Sequence, residues 1–274
     1  MAENVIGNVE QQRMYASVKD IADLDAPIYR IFPLWFFEEC LRIKHITLIR
    51  PHTWEDPLEV VGDAIAVNGW ADKQVVINQD LPPVFAQCWS ATAESDTLLR
   101  AYSRVDKDTH FRRNTSPRYE GVQVRTTTRK LIRALMEKAK GSPHGKCYIG
   151  TVRYIPHNEI LQGIANTIRS HGIDAFREPD VRADLLFLKR QAFQHEAEVR
   201  LLYFCNESCA DNLFRVPIDP NELFDEITFD PRLELFEQRE REAVARSLGY
   251  KGPIRESDLY QRIILQVSLD RDSN

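Results

Sequence analysis

Apolar residues along this chain recur with two periods, and the switches between them outline the elements. Pro33 to Lys44 carries Leu34, Phe37 and Leu41 at helical spacing, with proline in the first turn. The β-rich run His45 to Ile49 follows and stops at Pro51. After a polar tract over 68–83, Val84 to Ser90 reads as a short buried strand. Ser95 then opens a helix through Leu99, its hydroxyl placed to cap the first turn. A long polar loop, 104–120, precedes strand positions at Val122 and Val124. Helical spacing returns from Thr126 to Lys140 (Leu131, Leu135, Met136, Ala139) and ends at Gly141. Tyr148 to Ile155 reads as a strand, and Asn158 to Ser170 as a helix ending before His171-Gly172. An apolar stretch, 183–188, precedes a strand over 194–204, and short strands follow near 214–218 and 226–229. A helix is expected from Asp230-Pro231 to Leu248, closing on Gly249, and a last strand from Gln261 to Val267.

This order predicts an N-terminal arm over 1–26 and a single α+β domain over 27–274. Its expected core is a mixed, mainly antiparallel sheet flanked by helices. Strands do not alternate strictly with helices, and no glycine-rich loop follows the first strand, which argues against Rossmann and P-loop architectures. The 274 residues are 43% hydrophobic, enough for a core without a metal or disulfide staple. The net charge of −5 indicates solubility rather than wholesale attraction to nucleic acid or anionic membrane. Cys40, Cys88, Cys147, Cys205 and Cys209 form no CxxC pair and read as reduced thiols. With no signal-like segment and no run long enough to span a membrane, the expectation is a cytoplasmic protein without membrane contact.

Candidate chemistry concentrates on the 194–204 strand. With period two, Ala197, Val199, Leu201 and Tyr203 share one face, while Glu196, Glu198 and Arg200 share the other. Paired carboxylates of this kind can offset the positive charge that develops at a sugar C1′, or deprotonate a nucleophile. The same alternation describes a solvated edge strand, and Lys189 just upstream is open to both readings. Tyr29-Arg30 places a guanidinium where it could meet a pyrophosphate. Ser90 ends an apolar strand, where a hydroxyl can orient a ribose or serve as a turn residue; without a GxSxG elbow it is no hydrolase nucleophile. Trp54-Glu55-Asp56-Pro57-Leu58-Glu59 reads as a turn capping a pocket, since it offers too few oxygen ligands for a hard metal. The histidines lack HxxxH or HxH spacing, so no metal is expected, and His195 is expected opposite the glutamates. Residues 100–133 carry ten basic against three acidic side chains, Arg112, Arg113 and Arg118 among them. That excess fits a phosphate-rich partner or a solvated surface.

Taken in order, these segments resemble a bacterial family, the domain of unknown function numbered twenty-nine seventy-one, and the related AbiGi-like abortive-infection proteins. The resemblance rests on Ile28-Tyr29-Arg30, the Trp54 to Glu59 turn, Gln87-Cys88-Trp89-Ser90, Asp96 to Tyr102, Gly121-Val122 and Val152-x-Tyr154. Lys189 through Glu196-x-Glu198-x-Arg200, Ile227-x-Phe229-Asp230-Pro231 and Ser257-Asp258-Leu259 complete it. Glu55 stands where the family usually has Asn, and Leu99 where Trp is expected. The family's order of Arg, Ser and Glu-x-Glu is similar to that of ADP-ribosyltransferases. This implies NAD as substrate, with Arg30 on its phosphate, Ser90 at the nicotinamide ribose, and Tyr29 and Tyr102 beside them. Glu198 would be the catalytic carboxylate, and Glu196 would orient the acceptor, a protein or nucleic acid. Such a transferase or NAD glycohydrolase would suit the toxin component of antiphage defence, working with a partner protein. The rival expectations are a non-catalytic nucleotide- or nucleic-acid sensor acting through Arg112, Arg113 and Arg118, and a metal-free nuclease built on Lys189, Glu196 and Glu198.

Overall fold

A computed structural model describes residues 18–54, 56, 66–68, 74–76, 81–140, 145–205 and 211–260. Its strands are β1 (Val18–Lys19), β2 (Pro27–Pro33), β3 (His45–Ile49), β4 (Ala66–Asn68), β5 (Gln74–Val76), β6 (Val84–Ser90) and β7 (Gly121–Thr127). They continue with β8 (Lys146–Thr151), β9 (Arg153–Ile155), β10 (Leu188–Arg190), β11 (Glu198–Phe204), β12 (Leu213–Pro217), β13 (Glu226–Phe229) and β14 (Ile254–Arg255). The longer helices are α1 (Leu34–Ile43), α2 (Asp96–Tyr102), α3 (Thr128–Ala139), α4 (His157–His171), α5 (Pro179–Leu186) and α6 (Leu235–Ser247).

The main sheet runs β1-β8-β11-β6-β2-β7-β13-β14, with β3 joining β6 and β12 joining β3. Only the outermost pairs, β1 with β8 and β13 with β14, are parallel. The architecture is therefore α+β, a mixed, mainly antiparallel sheet flanked by helices. Alternation along the strands builds two unequal faces. Phe32, Phe85, Trp89, Val122, Val124, Val199, Leu201 and Ile227 pack with Phe37 of α1 and with Leu131, Ile132 and Leu135 of α3 in the main core. On the opposite face a smaller cluster joins Val84, Ala86, Tyr148, Leu202 and Phe204 to Ala183 and Leu186 of α5 and to Phe187. A third cluster around Ile160, Ile164 and Phe176 sits under α4, beside the separate parallel pair β9–β10.

Local chemistry fixes most element ends as the sequence predicts. Ser95 caps α2 by accepting from the Leu98 amide, and Thr127 caps α3 by accepting from Lys130. Several expectations change. The strand expected over Tyr148 to Ile155 is split in two, β8 ending at Thr151 in the main sheet and β9 starting at Arg153 in the pair with β10. The segment 194–204 is not one strand: Gln191–Glu196 is a 3-10 turn, Ala197 is left-handed at φ 42°, and β11 begins only at Glu198. Nor is β11 an edge, because it lies between β8 and β6 and is buried along its whole length. The helix expected from Asp230 starts at Leu235. Asp230 is instead buried against Arg232 and Ser103, and Glu234 and Glu237 form a reciprocal capping box at the true start. At the amino end, Val18–Lys19 forms a sheet strand paired with Ile149 and Gly150. The last strand expected over 261–267 lies outside the described residues.

Gly150 is a pinch point for this packing. A Cβ there would stand 2.8 Å from the Lys19 carbonyl oxygen and 2.9 Å from the Phe187 ring. Gly150→Ala is therefore expected to lower stability by about 1–3 kcal/mol, the usual cost of overpacking, measured by chemical denaturation.

Candidate functional site

The sheet opens at β6. Its edge pairs with β2 at Tyr29↔Ser90 and with β3 at Ile49↔Ala86, so the two partners diverge around Cys88. The Cys88 carbonyl, lying between the two pairings, accepts a hydrogen bond from the Arg30 guanidinium. On the other edge of β6, Glu198 of β11 pairs in register with Ser90. Glu198, Ser90 and Tyr29 thus form one row across three neighbouring strands, and directly paired residues project from the same sheet face. It is the face on which the α5 cluster ends. Arg30 belongs by alternation to the other face, beside the Phe32 ring at 5.2 Å, and its guanidinium fills the fork.

Buried charge defines the row's Glu198 end. Lys189 of β10 places Nζ 2.5 Å from Glu196 Oε2 and 2.5 Å from Glu198 Oε1. Arg200, fully buried, donates Nε to the second Glu198 oxygen at 2.6 Å and Nη1 to the Leu186 carbonyl at 2.6 Å. Its guanidinium lies 4.6 Å from the Trp54 ring centroid, and Lys189 lies 4.7 Å from that of Phe193. The Tyr154 hydroxyl accepts the Glu198 amide at 2.8 Å. Glu196 arrives by the 3-10 turn rather than as a strand neighbour, and the Ser90 hydroxyl ties that turn by donating to the Glu196 carbonyl at 2.7 Å.

These surroundings separate the two carboxyls. Burial works against charge on Glu198, but Arg200, the Glu196 hydrogen bond and Lys189 outweigh it and hold the group ionised, well below the usual range. Burial together with the Glu198 hydrogen bond pushes Glu196 up to about 7, with Lys189 opposing. Burial likewise lowers Arg30, with Cys88, Tyr102 and Glu198 pulling the other way. The buried Arg30 Nε finds no hydrogen-bond partner among the described residues. Tyr102, half-exposed at the end of α2, is raised to about 12 by burial and by Glu196.

The structure brings Tyr29, Arg30, Ser90, Tyr102, Glu196 and Glu198 together, and adds Lys189, Arg200 and Tyr154. Arg200 was legible as a face-mate of Glu198, while its burial was not. Tyr154 gave no signal beyond a place in the Val152-x-Tyr154 pattern. Ser90 serves as a tie, since its oxygen also accepts the Thr92 amide at 3.0 Å. The basic segment is largely paired within the chain. Arg112 meets Glu234 at 3.1 Å, Arg113 meets Glu240, and Lys107 meets Glu234 at 2.7 Å. Arg118 stands 5.7 Å from the Trp35 ring. The local excess read from sequence is offset in part by acids of α6 and its cap and otherwise by Asp96, Asp106, Glu226, Asp25 and Asp225, which weakens the phosphate-sensor expectation. Of the pocket-capping turn, Trp54 and Asp56 are described, and Asp56 holds Arg190 at 3.0 Å. Glu55, Pro57, Leu58 and Glu59 lie outside the described residues.

No protein-family model matches the chain, and no curated protein matches it. Solved structures of Thermus sp. 2.9 DarT are similar. The complex with ADP-ribosylated ssDNA has 12% identity and a TM-score of 0.36, over 87% of this chain and 97% of that one. The NAD+ complex has 13% identity and 0.34, over 86% and 98%. The carba-NAD+ complex has 13% identity and 0.34, over 85% and 95%. At these TM-scores the likeness carries no weight beside the site's own geometry. Among the described residues, no helix is long and apolar enough to cross a membrane.

Arg200 is the site's structural pivot. Arg200→Met removes one of the two cations on Glu198 and leaves the Leu186 carbonyl without its donor. It is expected to cost about 3–5 kcal/mol of unfolding free energy, measured by urea titration.

Proposed function

We propose that this protein consumes NAD as an ADP-ribosyltransferase or NAD glycohydrolase. The observation that carries the reading is the buried Glu198 carboxylate, held by Lys189 and Arg200 and set in one row with Ser90 and Tyr29 beside the Arg30 fork. Breaking the bond between nicotinamide and the ribose C1′ sends the electron pair to the leaving nitrogen and positive charge to the sugar. A fixed carboxylate beside that carbon offsets the charge as it forms, and it needs no proton to do so. Arg30 supplies a positive charge and a donor with no partner among the described residues, which suits a phosphate oxygen. Glu196, on its tied turn, orients the acceptor. Tyr29 and Tyr102 offer aromatic surface to the nicotinamide ribose end.

The same proposal takes in the family resemblance, a cytoplasmic location, and a role as the toxin component of an antiphage defence system with a partner protein. The acceptor is a protein or a nucleic acid for the transferase and water for the glycohydrolase. No metal takes part in the chemistry proposed.

Glu198→Gln keeps the shape of the side chain and removes its charge. It is expected to reduce NAD consumption roughly 100- to 1000-fold, the scale of losing one preorganised electrostatic group. Nicotinamide release is the assay, with circular dichroism confirming the fold. Wild-type protein that neither releases nicotinamide nor attaches ADP-ribose to offered protein or nucleic acid would remove the reading.

A further inference from the structure

Lys189 reaches the charged cluster from a strand outside the main sheet. It sits on β10, whose partner is β9, in register with Tyr154. From there its ammonium crosses to both carboxylates at 2.5 Å each, and Phe193 closes over it. The two carboxylates are otherwise held differently. Glu198 is anchored at both oxygens, by Lys189 and Arg200, and its backbone amide is bound by Tyr154. Glu196 stands at the end of a 3-10 turn, and its side chain is 13% exposed against 7% for Glu198. It is the less deeply buried of the two carboxylates.

We infer that Lys189 is a positioning residue. Its ammonium clamps both carboxylates in one buried cluster and divides their work, leaving Glu198 to face the sugar's charge and Glu196 to take the acceptor's proton. This rests on the NAD-cleaving reading above. In the transfer step the C1′–nitrogen bond breaks, and its electron pair leaves on neutral nicotinamide. A lone pair of the acceptor forms the new bond to C1′. The acceptor's proton passes to the Glu196 carboxylate and then to solvent. Glu198 keeps its charge throughout.

The charged and titratable groups facing Glu196 and Glu198 are Lys189 from β10, Arg200 from β11, Arg30 from β2, Tyr102 from α2 and Tyr154 from β9, with Cys88 of β6 beside Arg30 and Tyr102. Burial raises both tyrosines, Tyr102 to about 12, so neither loses its proton near neutral pH. With Lys189 in place the buried Glu196 is held at about 7, where it is part carboxylate and competent as a base. Without Lys189 the neighbouring Glu198 charge is unopposed on that side, and Glu196 holds its proton to higher pH.

The test compares wild type, Lys189→Met and Lys189→Arg in two measurements. One is NAD turnover against pH. The other is the titration of carbon-13-labelled glutamate side chains, with Glu196 assigned by its Glu196→Gln variant. In Lys189→Met the acidic limb of turnover and the Glu196 midpoint both move up by a pH unit or more, with roughly tenfold slower turnover at pH 7. Lys189→Arg keeps the charge and returns both toward wild type. A Glu196 midpoint unmoved in folded Lys189→Met overturns the role of Lys189 whether or not NAD is consumed. A midpoint that moves in a protein whose wild type leaves NAD intact overturns the catalytic assignment through failure of the NAD reading. If Lys189→Met does not fold, Lys189→Arg decides, since a limb displaced as far as a charge loss predicts would also overturn the inference.

Discussion

The buried ion network of Arg200, Glu198 and Lys189 is the constraint on which the rest of this structure depends. A guanidinium with no exposed surface loses its hydration, a cost of several kcal/mol that only close, well-aligned partners offset. Those of Arg200 include a carboxylate oxygen of Glu198, the Leu186 carbonyl that ends α5, and the face of Trp54. Each belongs to a different part of the chain, so satisfying one side chain fixes a strand, a helix end and a turn together. Glu198 is then held at both oxygens, and its charge is maintained inside the protein without freedom to swing away.

That arrangement needs a sheet face that changes character along its length. Leu202, Phe204, Ala86 and Tyr148 bury the far part of β11 and its neighbours under α5. Toward the amino end of β11 the same face turns polar, first at Arg200 and then at Glu198 and Ser90. Divergence of β2 and β3 from β6 frees the Cys88 carbonyl, and Arg30 occupies the opening because its guanidinium can satisfy that carbonyl without a strand. The fork lies at Cys88, between the β3 pairing at Ala86 and the β2 pairing at Ser90, and the charged row starts beside it.

Much of this order could be read in advance. The alternation of Val199, Leu201 and Tyr203 against Glu198 and Arg200 placed both charged groups on one face, and the structure keeps that phase. The helices carrying Phe37 and Leu131 lie where the apolar spacing put them. The errors share a cause. At 194–197 the period-two pattern continues through residues whose backbone is bent by the Ser90 tie and by Ala197 in the left-handed region. At Asp230 the helix start that a Pro next to an acid suggests gave way to a buried ion pair with Arg232. In both places a tertiary hydrogen bond outweighed a local preference. The basic stretch of 100–133 misled in a related way, because several of the acids that balance it, Glu234 and Glu240 among them, lie more than a hundred residues away in the chain.

The amino-acid sequence by itself determined the α+β class, the main amphipathic elements and the grouping of Glu198 with Arg200, because these follow from periodicity and near-neighbour geometry. Only the tertiary structure decided that β11 is central, that Arg30, Ser90 and Glu198 meet at a fork, and that Lys189 joins both glutamates. Those outcomes depend on strand order and on which long-range partner satisfies each buried charge, and neither quantity is encoded in local spacing.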